Sequence, residues 1–445
     1  MTRFVGRHVA PEMLALWLLE SALSFCLAYA LFAPGTYSKG IQFPAVNQAL
    51  VLALAIGFVA FIVGLYRPQV FSGTSRLLLN TAFGGLLAFP VGWIVGKALG
   101  LPVYGLLVHD TLWPLKILAV WIGCLFATRL LFLAAVRSNL FVRRVAVLGP
   151  PGEVSATVAA ISSAQKGFFQ VFSTDVRAPA PMELRAARVR TAVLSEQALQ
   201  AMPQALLAQY SSAGIQIEAE VGFWERHLKR VDIVHVGAEW FEALDRRPQR
   251  LWHAALIRVS DVAISLLFLV FTLPLMGIVA ALIRLDSPGP VLYRQERVGL
   301  GGRPFTLLKF RSMRLNAEQR GPAWAQQCDP RVTRIGAFMR RSRIDELPQL
   351  VNVLRGEMSF IGPRPERPHF VEQLSGLIPH YAERSRVKPG LTGWAQVNFP
   401  YGASVEDARS KLSYDLYYVK NRSPLLDLLI LFATVRVILF QEGAR

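Results

Sequence analysis

The sequence predicts a mixed membrane protein: four N-terminal transmembrane helices, a small Rossmann-like α/β domain, and a mainly helical α+β domain entered through one more membrane helix. Three observations lead there. Of 445 residues, 53% are hydrophobic and only 18% charged, at a mean hydropathy of +0.36. Long apolar runs fill the first third, after which short β-type runs alternate with helical stretches. The formal charge is +18, a balance suited to anionic headgroups or phosphorylated substrates. Nucleic acid is set aside as a partner, because so apolar a chain belongs to a membrane. The expected divisions are 1–140, 141–250, 251–285 and 286–445.

The four N-terminal runs are Met13–Phe32, Ala49–Tyr66, Leu77–Gly96 and Leu112–Val136, each near the length that crosses a bilayer. The first is too long, and wrongly flanked, for a cleaved signal peptide. Arg3, Arg7, Arg67, Arg76, Arg137, Arg143 and Arg144 flank one side, against Lys39 and Lys97 on the other. The positive-inside rule then places both ends in the cytoplasm. Within the spans, Arg129 is near enough to its end to snorkel, and Glu20 is left to pair inside the bundle. Cys26, Cys124 and Cys328 form no disulfide framework or zinc spacing.

From Arg143 to Gly152 the chain reads as a strand, a glycine turn and a helix beginning at Glu153, the opening of a nucleotide-binding βαβ unit. Pro150 and Pro151 remove N–H donors that such a loop would aim at a pyrophosphate. A structural or regulatory role is therefore expected. Further strands are expected at Thr191–Leu194, Ile215–Glu218 and Ile233–Val236. Val262 to Ile283 is then free of charge, with Pro274 in its middle.

Between Arg340 and Pro365, Leu347, Leu350, Val351 and Leu354 follow helical spacing and predict one buried face. Pro348 is tolerated only in a first turn, so the helix should start near Asp345 and Glu346. An Asp-Glu pair often merely caps a helix. Here it follows Arg340, Arg341 and Arg343, and the stiff turn Gly362-Pro363-Arg364-Pro365 presents a further guanidinium. Acid pair and arginines together point to a metal ion and phosphates.

This stretch resembles the catalytic core of the bacterial sugar transferases, the monotopic phosphoglycosyl transferases. The likeness continues through Gln295-Glu296-Arg297-Val298-Gly299, Lys309-Phe310-Arg311-Ser312-Met313, Asp329-Pro330-Arg331-Val332-Thr333, Leu391-Thr392-Gly393-Trp394-Ala395-Gln396-Val397 and Tyr414-Asp415-Leu416-Tyr417-Tyr418. It implies transfer of a sugar 1-phosphate from a UDP-sugar, with UDP-glucose or UDP-galactose favoured, to undecaprenyl phosphate, at the start of exopolysaccharide, capsule or O-antigen synthesis. By the same resemblance Asp345 is the nucleophile, Glu346 holds Mg²⁺, and Arg340 and Arg364 meet substrate phosphates. Lys309, Arg311, Arg297 and Asp329 are weaker candidates, for each of which a structural salt bridge is an equal reading. A carboxylate, ionised at pH 7, can attack phosphorus without a general base.

Topology follows from the chemistry. Were Val262–Ile283 to span, a domain with 25 Lys and Arg against 15 Asp and Glu from Arg284 onward would leave the cytoplasm, where UDP-sugars are found. The expectation is a re-entrant helix broken at Thr272–Pro274, as the resemblance also implies, in an inner-membrane protein whose soluble domains face the cytoplasm. Leu425–Phe440 reads as an interfacial helix in contact with membrane lipids. A homodimer is the candidate oligomer. Two other classes stand beside this reading: a tethered nucleotide-sugar dehydratase or epimerase, opposed by the damaged glycine loop and the lack of a Tyr-x-x-x-Lys pair, and a non-catalytic assembly scaffold, opposed by the intact Asp-Glu, Lys309 and Arg364 set. No Ser-His-Asp arrangement or His-Glu-x-x-His zinc motif is present.

Overall fold

A computed structural model describes residues 11–37, 44–62, 65–66, 74, 77–78, 81–82, 84–86, 94, 113–138, 140–164, 168–174, 179–246, 251–314, 329–399, 402 and 404–439. Arg3, Arg7, Lys39, Arg67, Arg76, Lys97, Cys328 and most of the third apolar run lie outside these residues. The chain is mixed α/β and forms two compact units, Met1–Leu228 and Lys229–Arg445.

In the first unit, α1 (Pro11–Tyr37), α2 (Pro44–Ile62) and α3 (Trp113–Arg137) realise three of the apolar runs. Stretches of α1 and α3 are long and apolar enough to cross a membrane, and α2 carries a shorter apolar stretch. Arg129 does not snorkel. It is fully buried and grips Glu20 with both Nε and Nη2 at 3.0 Å, while Nη1 reaches Thr81 at 3.2 Å. Tyr66 donates to Glu20 at 2.6 Å. An unpaired charge at that depth would cost more than any gain from reaching water, so the forked guanidinium takes the carboxylate instead.

Beyond them β1 (Arg143–Leu148), β2 (Phe169–Thr174), β3 (Thr191–Leu194) and β4 (Gln216–Ala219) form a wholly parallel sheet in the order β2-β1-β3-β4. Alternate residues enter two cores: Val145, Val147 and Val193 join Ile161 and Phe223, whereas Ala146, Leu148, Ala192 and Leu194 join Tyr210 and Ile215. The helix after β1, α4 (Pro151–Ala164), begins two residues before Glu153 because proline suits a first turn. β2 was not among the expected strands; its Phe169 and Val171 pack on one core and Phe172 on the other. Ile233–Val236 is a turn in the second unit, where expectation had a strand. There the Asp232 side chain takes the Val234 N–H at 3.1 Å, an Asx turn that replaces a strand ladder.

In the second unit α5 (Leu251–Asp286) runs 36 residues with Pro274 inside it. Contrary to expectation the helix does not end at Thr272–Pro274: Pro274 has no N–H to give to the preceding turn, yet the helical backbone continues through it. Both halves of α5 pack on this unit. Arg258 donates to the Val353 and Leu354 carbonyls at 2.7 and 2.6 Å, and Asp261 accepts from Ser359 Oγ and Phe360 N at 2.9 and 2.7 Å. Further along, Val279 and Ile283 join Phe310 and Met339 in a core. Between them Val270, Phe271 and Leu273 stay 60–75% exposed, a surface suited to lipid.

An antiparallel hairpin of β5 (Leu292–Val298) and β6 (Pro304–Phe310) follows, then α6 (Arg334–Ser342) and α7 (Gln349–Arg355). A second, parallel pair joins β7 (Ser359–Ile361) to β8 (Gly390–Thr392). The short α8 (Trp394–Asn398) leads to α9 (Val405–Asn421) and α10 (Pro424–Leu439), the expected apolar tail helix. The Asp-Glu pair lies in a 3-10 turn, Ile344–Glu346, ahead of the α-helix proper. Polar Gln349 and Asn352 share its buried face with Leu350 and Val353, while Leu347, Val351 and Leu354 are half-buried.

Asn352 explains that departure from the apolar stripe. Its side chain takes Leu308 N at 3.0 Å and gives to Thr306 O at 2.7 Å, completing the free edge of β6 as a neighbouring strand would. Asn352→Ala strands both backbone groups, so we expect a loss of about 1–3 kcal/mol, seen as a lower midpoint in thermal unfolding.

Candidate active site

Three short segments converge on the acid pair. Thr333 caps α6 by accepting from Gly336 N at 3.0 Å. A Cβ at Gly336 would lie 2.0 Å from the Ser312 carbonyl oxygen, so glycine alone lets the helix sit that close to the strand end. The helix stops at Arg343, whose left-handed backbone (φ 55°) turns the chain directly into the 3-10 turn. β6 contributes Lys309, and the turn after β7 contributes Arg364. That turn needs glycine too: a Cβ at Gly390 would lie 2.0 Å from Gly362 N, and one at Gly393 2.1 Å from Gly362 O.

Both carboxylates are 8% exposed, yet their surroundings differ. Glu346 Oε1 accepts from Lys309 Nζ at 3.1 Å and from Arg364 Nη2 at 2.7 Å, and Oε2 stands 3.7 Å from Arg343 Nη1. Asp345 has no hydrogen bond or ion pair among the described residues. Burial pushes Glu346 up, but Arg364, Lys309 and Arg343 outweigh it and hold the carboxyl well below its ordinary range. Burial also pushes Asp345 up; Lys309 opposes this, Glu346 adds to it, and the net shift is upward. Burial likewise lowers the Lys309 ammonium, against the pull of Glu346.

The remaining expected residues divide. Arg340 has no partner among the described residues and is one of the positive charges acting on Asp345. Arg297 braces the Arg364 turn, donating to Pro365 O at 2.9 Å. Asp329 is held by Arg331, Nε to Oδ1 at 2.8 Å, and those hydrogen bonds pull its carboxyl to about 2 against the effect of burial. Arg311 serves the end of α5, giving to Ser287 O at 2.6 Å and Pro288 O at 3.0 Å. The structure thus gathers Lys309, Arg340, Asp345, Glu346 and Arg364, braces them with Arg297, and sends Arg311 elsewhere.

Arg384 was not among the expected residues. It donates to the Arg364 carbonyl at 3.0 Å and to Tyr381 Oη at 2.8 Å, and pairs with buried Asp415 at 2.8 Å. Burial raises Asp415 to about 6, with Arg384 the chief opposing charge. Its only signal was Asp415, inside the Tyr414–Tyr418 motif. Gln396, whose Oε1 accepts from Arg364 Nη1 at 3.2 Å, was visible only as part of the Leu391–Val397 motif.

A bacterial sugar transferase family model matches residues 252–441. The UDP-glucose:undecaprenyl-phosphate glucose-1-phosphate transferase of Caulobacter vibrioides is 44% identical over 189 residues, 42% of this chain and 71% of that protein. The exopolysaccharide production protein PSS of Rhizobium leguminosarum bv. phaseoli is 43% identical over 187 residues, 40% of this chain and 92% of its own. This chain belongs to the bacterial sugar transferase family. A further family member, the UDP-N-acetylgalactosamine-undecaprenyl-phosphate N-acetylgalactosaminephosphotransferase of Aeromonas hydrophila, is 44% identical over 243 residues, 50% of this chain; the match spans 57% of that relative's length. Family membership and the apolar helices together point to a membrane-associated protein.

Proposed function

We propose that the protein moves a sugar 1-phosphate from a UDP-sugar to undecaprenyl phosphate, through a phosphosugar held on Asp345. The carrying observation is the division of the acid pair: Glu346 is clamped by three cations while Asp345, beside it, has no partner among the described residues. A carboxylate kept free, and made more basic by burial, is disposed to attack phosphorus. An Asp345 oxygen forms a bond to the β-phosphorus, the pyrophosphate P–O bond breaks, and UMP departs with the electron pair. An oxygen of the lipid phosphate then attacks the same phosphorus, releasing the carboxylate and forming the lipid diphosphate. Arg340, Lys309 and Arg364 stabilise the charge that spreads over the phosphoryl oxygens.

The donors also suit Mg²⁺. Among the described residues Glu346 Oε2 is paired only with Arg343, at 3.7 Å, so Glu346 can offer one hard oxygen. Bound there with substrate phosphates, the ion would neutralise part of their charge. Relatives named for glucose and for N-acetylgalactosamine leave the sugar as a hexose or N-acetylhexosamine.

Placement at the inner membrane, with the site facing the cytoplasm, is supported by α5. A straight helix of 36 residues is about 54 Å long, more than the roughly 30 Å hydrocarbon core. Its two halves nevertheless pack on the same unit, as the halves of a helix bent at Pro274 would if it entered and left by one leaflet. The test is a panel of UDP-sugars supplied with purified protein, Mg²⁺ and no lipid acceptor. A stoichiometric burst of UMP is expected with one sugar, followed by turnover on adding undecaprenyl phosphate. UMP appearing only once the lipid is present would favour direct attack by the lipid.

A further inference from the structure

Beside the acid pair lie two carboxamides whose Nε2 donors no described residue accepts. Gln349 is 3% exposed, and its Nε2 has no acceptor. It follows Asp345 by four residues, and Leu347 and Pro348 between them keep right-handed helical backbone. Positions four apart on such a backbone share a side. Asn352, three residues further on, shows which side: its amide is bonded to β6, the strand that carries Lys309.

Gln396 reaches the site from α8. A guanidinium can only donate, so its bond from Arg364 Nη1 fixes the Gln396 oxygen toward the arginine. That leaves Gln396 Nε2 as a buried donor with no acceptor. Arg364 in turn holds Glu346, so this donor is one side chain removed from the acid pair.

Buried donors without acceptors oppose folding, and an apolar side chain of the same size would remove the cost. Two of them at one site, among Lys309, Arg340 and Arg364, mark where acceptor oxygens arrive with a ligand. We propose that Gln349 and Gln396 are substrate-contacting residues that donate their carboxamide N–H groups to phosphoryl oxygens of the sugar nucleotide. Neutral donors add hydrogen bonds to the phosphoryl group without deepening the positive field that already clamps Glu346. The assignment rests on the transfer reaction proposed above.

The test compares Gln349→Met and Gln396→Glu with wild type in the full-length protein, by UMP release from the preferred UDP-sugar and by thermal unfolding. Gln349→Met removes the donor while conserving volume, and Gln396→Glu keeps the oxygen that Arg364 uses. Each variant should release UMP on the order of a hundredfold more slowly, the scale for loss of one donor to a transition-state oxygen. The loss should appear in kcat or in KM for the UDP-sugar, with KM for undecaprenyl phosphate unmoved. The unfolding midpoint should stay level or rise for Gln349→Met, since no native bond is lost. Full activity in both variants would overturn the assignment, as would a midpoint several degrees lower or a failure to fold in Gln349→Met. A wild type that releases no UMP from any UDP-sugar would instead overturn the transfer reading itself.

Discussion

Asp345→Asn should eliminate UMP release, a drop on the order of a thousandfold or more, while leaving the protein folded. Asn keeps the size of the side chain and removes the charge proposed to attack phosphorus, and losing a nucleophile outright has effects on that scale. The fold should not suffer, because Asp345 has no ion pair or hydrogen bond among the described residues. It should even gain slightly near neutral pH. The folded-state pKa of Asp345 lies above its ordinary value of 3.8, so the protonated form is favoured in the native protein. Its stabilising contribution is present below the ordinary value and is lost as pH rises through the folded one. Asparagine lacks that loss. Activity assays and thermal unfolding of the same preparation check both halves; near-normal turnover would exclude the covalent route.

The second large effect falls on stability. Arg384→Ala leaves Asp415 buried, 2% exposed in its side chain, without its cation, and also withdraws donors from Tyr381 and the Arg364 carbonyl. Breaking a buried pair from one side costs about 3–5 kcal/mol. For a unit the size of Lys229–Arg445 unfolding by itself, that is roughly a 10 °C fall in midpoint. Asp415→Asn should cost less, because it leaves no buried carboxylate and keeps an acceptor for the Arg384 guanidinium, which also retains Tyr381 Oη and the Arg364 carbonyl. Its effect should also vary with pH. Asp415 titrates near 6 in the fold against 3.8 ordinarily, so wild type loses this group's contribution as pH rises from about 4 to 6 and the Asn variant does not. Unfolding midpoints of both variants at pH 5 and 7.5 measure this; equal stability of Arg384→Ala and wild type would remove the pair from the architecture of the site.

Much of the architecture was legible because it is written in local patterns. Long charge-free runs announce apolar helices, and short apolar runs announce β1 and β3. The misreadings have one origin. Arg129 was read from its distance to a span end, Ile233–Val236 from its apolar alternation, and the α7 face from the spacing of its leucines. In each case a polar partner distant in sequence or a local side-chain bond decided the outcome: Glu20 for Arg129, Asp232 for the turn, and β6 for Asn352. Arg311 shared a motif with Lys309 and differs in duty, because it lies one residue past the end of β6 and is taken up by the carbonyls that follow α5.

Sequence alone determined the chemistry available: two adjacent carboxylates, a set of arginines and a lysine, attached to helices that belong in lipid. Only tertiary structure decided which carboxylate is bound and which is left free, since Lys309, Arg343 and Arg364 come from three separate segments and all turn to Glu346. Coulomb attraction acts over a few ångströms of space whatever the separation along the chain, so a pairing of this kind has no signature in one dimension.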